Sequence, residues 1–191
     1  MRQTKTDRRS LRTRQLLVQA VFDLIRVKRY DAITVQEITD RANVGRSTFY
    51  AHFTDKDDLL VDGVRQLIAG LDGTAPAGRG AWLYPTLALF HHIGAQADMY
   101  KVLARGRGLA LFMTALHAEL TAVFTERLTA RVRPDRTPVV AAPLLAAMTT
   151  SMLVTAIRTW IEGGLTEPAE AVDRAFHIAA EAAIRAGLSA E

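Results

Sequence analysis

The seven residues Arg46-Ser47-Thr48-Phe49-Tyr50-Ala51-His52 gather a guanidinium, two aliphatic hydroxyls, a phenol and an imidazole, with no carboxylate among them. On a helix, such a set suits reading the edges of nucleic-acid bases. Arg bridges guanine O6 and N7, Ser and Thr serve either base type, and a Thr methyl can touch a thymine methyl. The hydroxyls of Thr34 and Tyr50 and the Lys56 ammonium suit phosphate oxygens, which set register and carry no sequence information. Phe49 and Phe53 would anchor the helix from behind.

Bond-making chemistry finds little support. The absence of cysteine excludes a thiolate nucleophile, a disulfide framework and a Cys-ligated zinc site. His91 and His92 are adjacent, so on a helix they diverge by about 100° and share one metal poorly. No His lies four residues from another, and Gly-x-Ser-x-Gly is absent. The glycines of Asp72-Gly73-Thr74-Ala75-Pro76-Ala77-Gly78-Arg79-Gly80 match neither a Walker loop nor a dinucleotide fingerprint and read as a linker. No catalytic residue, metal ligand or cofactor is expected.

The elements that would position the reading residues are helical. Leu11, Leu16, Leu17, Ala20, Val21, Leu24 and Ile25 recur at three-to-four spacing. Thr34-Val35-Gln36-Glu37 is a capping box, followed by Val35, Ile38 and Ala42 as the inner face of a short helix. Asn43 tolerates left-handed backbone in a tight turn, and Gly45 precedes a third helix over Arg46–His52. A fourth begins at Thr54 or Asp55 with the stripe Leu60, Val64, Leu67, Leu71. Further helices are expected over 82–96, 98–105 and 109–131, then a turn at Arg133–Arg136. Glu167-Pro168 opens a last helix, with Pro168 at its first position and Val172, Phe176, Ala179, Ala180 and Ala183 inside. The class is all-α.

Charge divides the 191 residues unevenly. Residues 1–56 carry 12 Lys/Arg against 6 Asp/Glu, whereas residues 57–191 carry 12 against 14. The basic end suits a polyanion; the remainder does something else. The amphipathic start lacks the form of a secretory signal. Thr137–Ile157 is uncharged and long enough to span a bilayer, but its prolines and hydroxyls favour a helix buried in a core or between subunits.

The run Thr34-Val35-Gln36-Glu37-Ile38-Thr39-Asp40-Arg41-Ala42-Asn43-Val44-Gly45-Arg46-Ser47-Thr48-Phe49-Tyr50-Ala51-His52-Phe53, with Lys56-Asp57-Asp58-Leu59-Leu60, resembles the TetR family of bacterial transcription regulators. It departs from the family pattern in Thr39 for Ala, Asn43 for Gly and Gly45 for Ser. The resemblance implies DNA contacts at Thr34, Thr48, Tyr50, His52 and Lys56, with variable base readers at Arg46 and Ser47. The basic start, including Arg8, Arg9 and Arg12, looks like a flexible extension laid along the backbone or into a minor groove. Plainer roles stay open: Thr34 as a cap, His52 and Tyr50 in packing, and the arginines as a solvated tail.

These readings divide the chain into a helix-turn-helix DNA-binding domain with a basic arm, 1–56, and a helical effector-binding and dimerisation domain, 57–191. Two copies suit a palindromic operator read on adjacent turns about 34–36 Å apart. The last two helices, about 138–162 and 168–186, are the interface candidates; the resemblance implies that they form a four-helix bundle across a two-fold axis. Trp160-Ile161-Glu162-Gly163-Gly164-Leu165 and Pro168 look like the end of the penultimate helix in one branch of that family. Phe90, His91, Tyr100, Phe112, Met113, His117, Met148 and Met152, with Trp82, Tyr84, His92 and Trp160, could line a small-molecule pocket or simply fill the core. The expected protein is a cytoplasmic homodimeric regulator, most simply a repressor released by a small-molecule effector, with no membrane partner. A structural DNA-binding protein without effector, and an all-α enzyme, are the alternatives.

Overall fold

The computed structural model describes residues 2–72, 83–133 and 137–189, with side chains from Arg8 onward. Among these, helices account for nearly all regular structure: α1 Arg2–Ile25, α2 Val35–Ala42, α3 Arg46–Tyr50, α4 Lys56–Asp72, α5 Thr86–Ala95, α6 Ala97–Leu103, α7 Gly108–Thr129, α8 Ala142–Glu162 and α9 Ala169–Leu188, plus a 3-10 turn at Tyr30–Ala32. The all-α class holds. The linker expected after Asp72, Trp82 and the turn residues 134–136 lie outside the described residues.

Two compact units partition the chain: Met1–Val64 with Asp98–Phe112, and Arg65–Ala97 with Met113–Glu191. In the first, α1 packs on α2 and α2 on α3. Leu17, Val21, Ile25, Ile38, Phe49, Leu59 and Leu60 form its core. The residues before Leu11 continue α1 as helix back to Arg2, where a flexible extension was expected. No glycine or proline interrupts Arg2–Ile25, and Arg, Lys, Gln and Leu are good helix formers. Leu11 and Leu16, expected on the inner stripe, are exposed. A Cβ at Gly63 would stand 2.7 Å from the Phe22 ring, so this glycine permits the close approach of α4 to α1. Arg14 ties the same two helices by pairing with buried Asp62.

In the second unit α9 packs against both α8 and α5. Phe90 meets Trp160 edge-on at 5.7 Å, and the Trp160 indole N–H donates to the Glu167 carbonyl at 2.9 Å. The Thr86 hydroxyl donates to the buried Asp173 carboxylate at 2.6 Å, and His177 Nε2 lies 2.8 Å from the same hydroxyl. Arg127 holds the Leu83 carbonyl and pairs with Asp72.

Several boundaries and faces shift from expectation. On α4 the inner row is Leu60, Val64 and Ile68, while Leu67 and Leu71 are half-buried. On α9 it is Asp173, Phe176, Ala180, Ile184 and Gly187; Ala179 is exposed. Pro168 serves as the N-cap of α9, one position earlier than expected. The uncharged segment becomes α8 only from Ala142, with Pro143 in its first turn. Val139 and Val140 N–H groups instead bond the Ser189 and Gly187 carbonyls. Helices α7 and α8 are long and apolar enough to cross a membrane by length and composition, but about half of each is buried within the protein, as expected for core helices.

Candidate nucleic-acid interface

The local chemistry of residues 34–53 produces the reading unit. Thr34 caps α2 reciprocally with Glu37: its Oγ1 accepts from the Glu37 N–H at 3.3 Å, and its own N–H donates to Glu37 Oε2 at 2.9 Å. The Lys28 ammonium, then the Thr34 backbone and hydroxyl, pull the Glu37 carboxyl down to about 2. Asn43 sits in the left-handed region at φ 52° and ends α2, its N–H reaching the Asp40 carbonyl. Buried Thr39 satisfies its hydroxyl on the Gln36 carbonyl at 2.8 Å. Gly45 caps α3 with ordinary extended backbone and no side-chain bond. A Cβ there would meet only ordinary contacts, so packing does not demand glycine.

Helix α3 is held from beneath. Phe49 is fully buried and packs against Phe53 at 5.9 Å and Tyr50 at 5.3 Å. This anchoring leaves Arg46, Ser47 and Tyr50 exposed and Thr48 half-buried on one short helix. His52 lies just beyond its end, half-buried, with its ring 6.3 Å from that of Phe53. Thr34 is exposed at the start of α2. Arg8, Arg9 and Arg12 are exposed on α1, with Arg8 and Arg12 one turn apart on one face.

Lys56 has a different setting. All three ammonium protons are directed to main-chain carbonyls, of Tyr30 at 2.9 Å, Asp31 at 3.0 Å and Ile33 at 2.7 Å. Burial, and then the nearby Arg107 charge, lower its pKa. Asp55 Oδ1 caps the start of α4 by accepting from the Asp57 and Asp58 N–H groups. Three further residues join this cluster without having been singled out from sequence: Tyr30, Asp57 and Arg107. Burial opposes ionisation of Asp57, but hydrogen bonds from Arg107 and Tyr30 outweigh it and lower its pKa. Burial, with the Asp57 carboxylate adding to it, raises the Tyr30 pKa. The sequence signal was the pair of glycines flanking Arg107 between two helices.

The eight candidate pocket residues fall into several settings. Tyr100 and Phe112 are buried edge-on at 5.2 Å in the first unit. Phe90 and Met113 are buried in the second. His91 is exposed and bonded to Glu170 at 2.7 Å. His117 is half-buried, its Nε2 3.1 Å from the Ser151 hydroxyl. Met148 is exposed, whereas Met152 lines an open groove of about 500 Å³ between α8 and α9 with Ser151, Thr155, Val172, Phe176 and Ala179. Among the described residues no cluster of three His, Asp or Glu side chains could hold a metal ion.

Residues 17–62 match the model of the bacterial regulatory proteins of the tetR family. The chain is 40% identical over 60 residues to the uncharacterized HTH-type transcriptional regulator YxbF of Bacillus subtilis (strain 168), a match spanning 31% of this chain and 16% of that protein. Among solved structures, the dihydroxyacetone kinase operon activator DhaS shares the fold at a TM-score of 0.63 and 18% identity, covering 93% of this chain and 98% of that one. A TetR transcriptional regulator from Streptococcus agalactiae 2603V shares it at 0.60 and 21% identity, with the same coverage. The capped α2, the left-handed turn at Asn43 and the anchored α3 all lie inside the residues that match the tetR family of bacterial regulatory proteins.

Proposed function

We propose that the protein is a sequence-specific DNA-binding transcriptional regulator, a cytoplasmic homodimer that represses from a palindromic operator and is released by a small-molecule effector. The observation that carries this reading is α3: Phe49 and Phe53 are buried beneath it while Arg46, Ser47 and Tyr50 remain exposed. In a major groove, Arg46 and Ser47 read base edges, with the Thr48 methyl and hydroxyl beside them. Thr34, Tyr50 and His52 contact backbone phosphates, and Arg8, Arg9 and Arg12 add charge along the duplex. Lys56 orders the chain entering α2 through its three carbonyl bonds. The reading domain is residues 1–56, and residues 57–191 serve effector binding and dimerisation.

Dimerisation through α8 and α9 is favoured by what those helices leave uncovered. Leu144, Met148 and Ile178 are 58%, 52% and 75% exposed, and the groove beside them is lined chiefly by apolar side chains. Exposed apolar area of this kind marks an interface, and a two-fold dimer matches a palindrome. The effector reading draws support from Thr150. Its hydroxyl is fully buried on α8 without a hydrogen-bond partner among the described residues, and a ligand oxygen would satisfy it. Of the candidate pocket residues, Phe90, His91, Met113, His117, Met148 and Met152 belong to the same compact unit as Thr150.

Selection of bound fragments from a random DNA pool at near-physiological salt tests the proposal. The expected product is a palindrome with half-sites about one turn apart. Uniform recovery of all sequences at the same salt would make it a structural DNA-binding protein. Retention of no DNA by effector-free protein would sink the regulator and favour an all-α enzyme.

A further inference from the structure

Between α6 and α7 the chain reads Arg105-Gly106-Arg107-Gly108, and this turn belongs to the same compact unit as the reading helices. The Arg107 fork meets Asp57 with both terminal nitrogens, Nη1 to Oδ2 at 2.5 Å and Nη2 to Oδ1 at 2.9 Å. Its Nε lies 3.3 Å from Asp31 Oδ1. The guanidinium carbon and the Lys56 ammonium stand 5.5 and 4.9 Å from the Tyr30 ring centre. The Tyr30 hydroxyl donates to Asp57 at 2.6 Å.

The glycines are fitted to this arrangement. A Cβ at position 106 would stand 2.1 Å from the Asp31 carboxylate, and one at 108 would stand 2.9 Å from the Tyr30 Cβ. Asp57 follows Lys56, whose ammonium holds the carbonyls of Tyr30, Asp31 and Ile33. Ile33 in turn precedes Thr34, the cap of α2. A continuous set of bonds therefore runs from Arg107 to the first residue of the helix-turn-helix.

We propose that Arg107 is a positioning residue for DNA reading: from outside the helix-turn-helix it pins the first turn of α4 to the Tyr30–Ala32 turn and so fixes the entry of α2. The proposal rests on the DNA-binding reading above. Its bidentate geometry is specific to Arg, because a Lys ammonium cannot present two parallel donors to one carboxylate. With the fork engaged on Asp57, Arg107 acts through the tie and not as a phosphate contact. Because α7 begins at Gly108 and continues to Thr129, an effector that shifts its first turn acts on reading through the same tie.

The test compares the full-length wild type with Arg107→Gln, Arg107→Lys, Asp57→Asn and the Arg107→Gln/Asp57→Asn double variant. Each is assayed for affinity to the DNA selected by the wild type, salt dependence, melting temperature and amide exchange without DNA. Arg107→Gln and Asp57→Asn are each expected to weaken operator binding about 5- to 10-fold. The double variant should be no weaker than either single one, Arg107→Lys should recover only part, and salt slope and melting temperature should stay near wild type. Exchange should quicken at residues 30–34 and 56–60. Wild-type affinity in Arg107→Gln, losses that multiply in the double variant, or a salt slope reduced by about one would overturn the tie, the last by making Arg107 a phosphate contact. A wild type that selects no sequence would overturn the DNA reading and with it the role of the tie, whose existence the exchange data decide separately.

Discussion

The reading segment and the second unit are both helical, yet they are held together differently. From Thr34 to Phe53 the decisive bonds join near neighbours: Thr34 with Glu37, Thr39 with Gln36, Asn43 with Asp40, and Phe49 with Phe53. In the second unit the polar ties join residues far apart in sequence, such as Thr86 with Asp173, His91 with Glu170, and Arg127 with Asp72. A segment built from neighbour bonds keeps its form wherever its short sequence is kept. One built from distant pairs can be recast by changes almost anywhere along it. The family model matches residues 17–62, in keeping with this, while the solved neighbours share the fold at 18% and 21% identity.

The largest effect should come from the more deeply buried of the two anchors beneath α3. Phe49→Ala removes a fully buried ring and should cost about 3–5 kcal/mol, read as a drop in denaturant midpoint together with loss of DNA binding. A small loss would show that Phe53 and the backbone bonds of the turn hold α3 without it. Thr86→Val should cost about 1–3 kcal/mol by leaving the buried Asp173 carboxylate short of a donor. That loss should appear in melting curves without altering base preference; a shift in preference would mean that the second unit's ties also shape the reader.

Arg46→Ala should relax preference at one base pair per half-site by about 1–3 kcal/mol, whereas Tyr50→Phe should weaken all sequences alike. Equal losses on every sequence for Arg46→Ala would demote it to a phosphate contact. The capping box gives a pH signature. With its pKa lowered to about 2 from 4.5, Glu37 contributes stability that is present above pH 4.5 and drains away as pH falls towards 2. Acid unfolding of Glu37→Gln should lack that component, and curves parallel to wild type would show that the box contributes nothing. Smallest of all, Gly45→Ser should stabilise by about 0.5 kcal/mol, since the backbone there is ordinary and a hydroxyl could cap α3. A loss on melting would mean that glycine is required for a reason other than packing.

What could be read from sequence follows the same division. The capping box, the turn at Asn43 and the burial of Phe49 and Phe53 were all legible, because each depends on residue types within a few positions of one another. The inner faces of α4 and α9 were legible only in part. Ile68 replaced Leu67, and Asp173 entered the α9 core because Thr86, from a distant helix, supplies its hydrogen bond. No periodicity announces a buried carboxylate.

The amino-acid sequence by itself determined the helical class, the two short helices with their turn, and the exposure of Arg46, Ser47 and Tyr50, since periodicity, capping and the placement of two phenylalanines act locally. Only the tertiary structure decided that Lys56 turns inward onto three carbonyls, that Arg107 reaches Asp57 across 50 residues of chain, and that Phe90 and Trp160 meet edge-on. Such pairings depend on which helices come together, and that is set by burial summed over the whole chain.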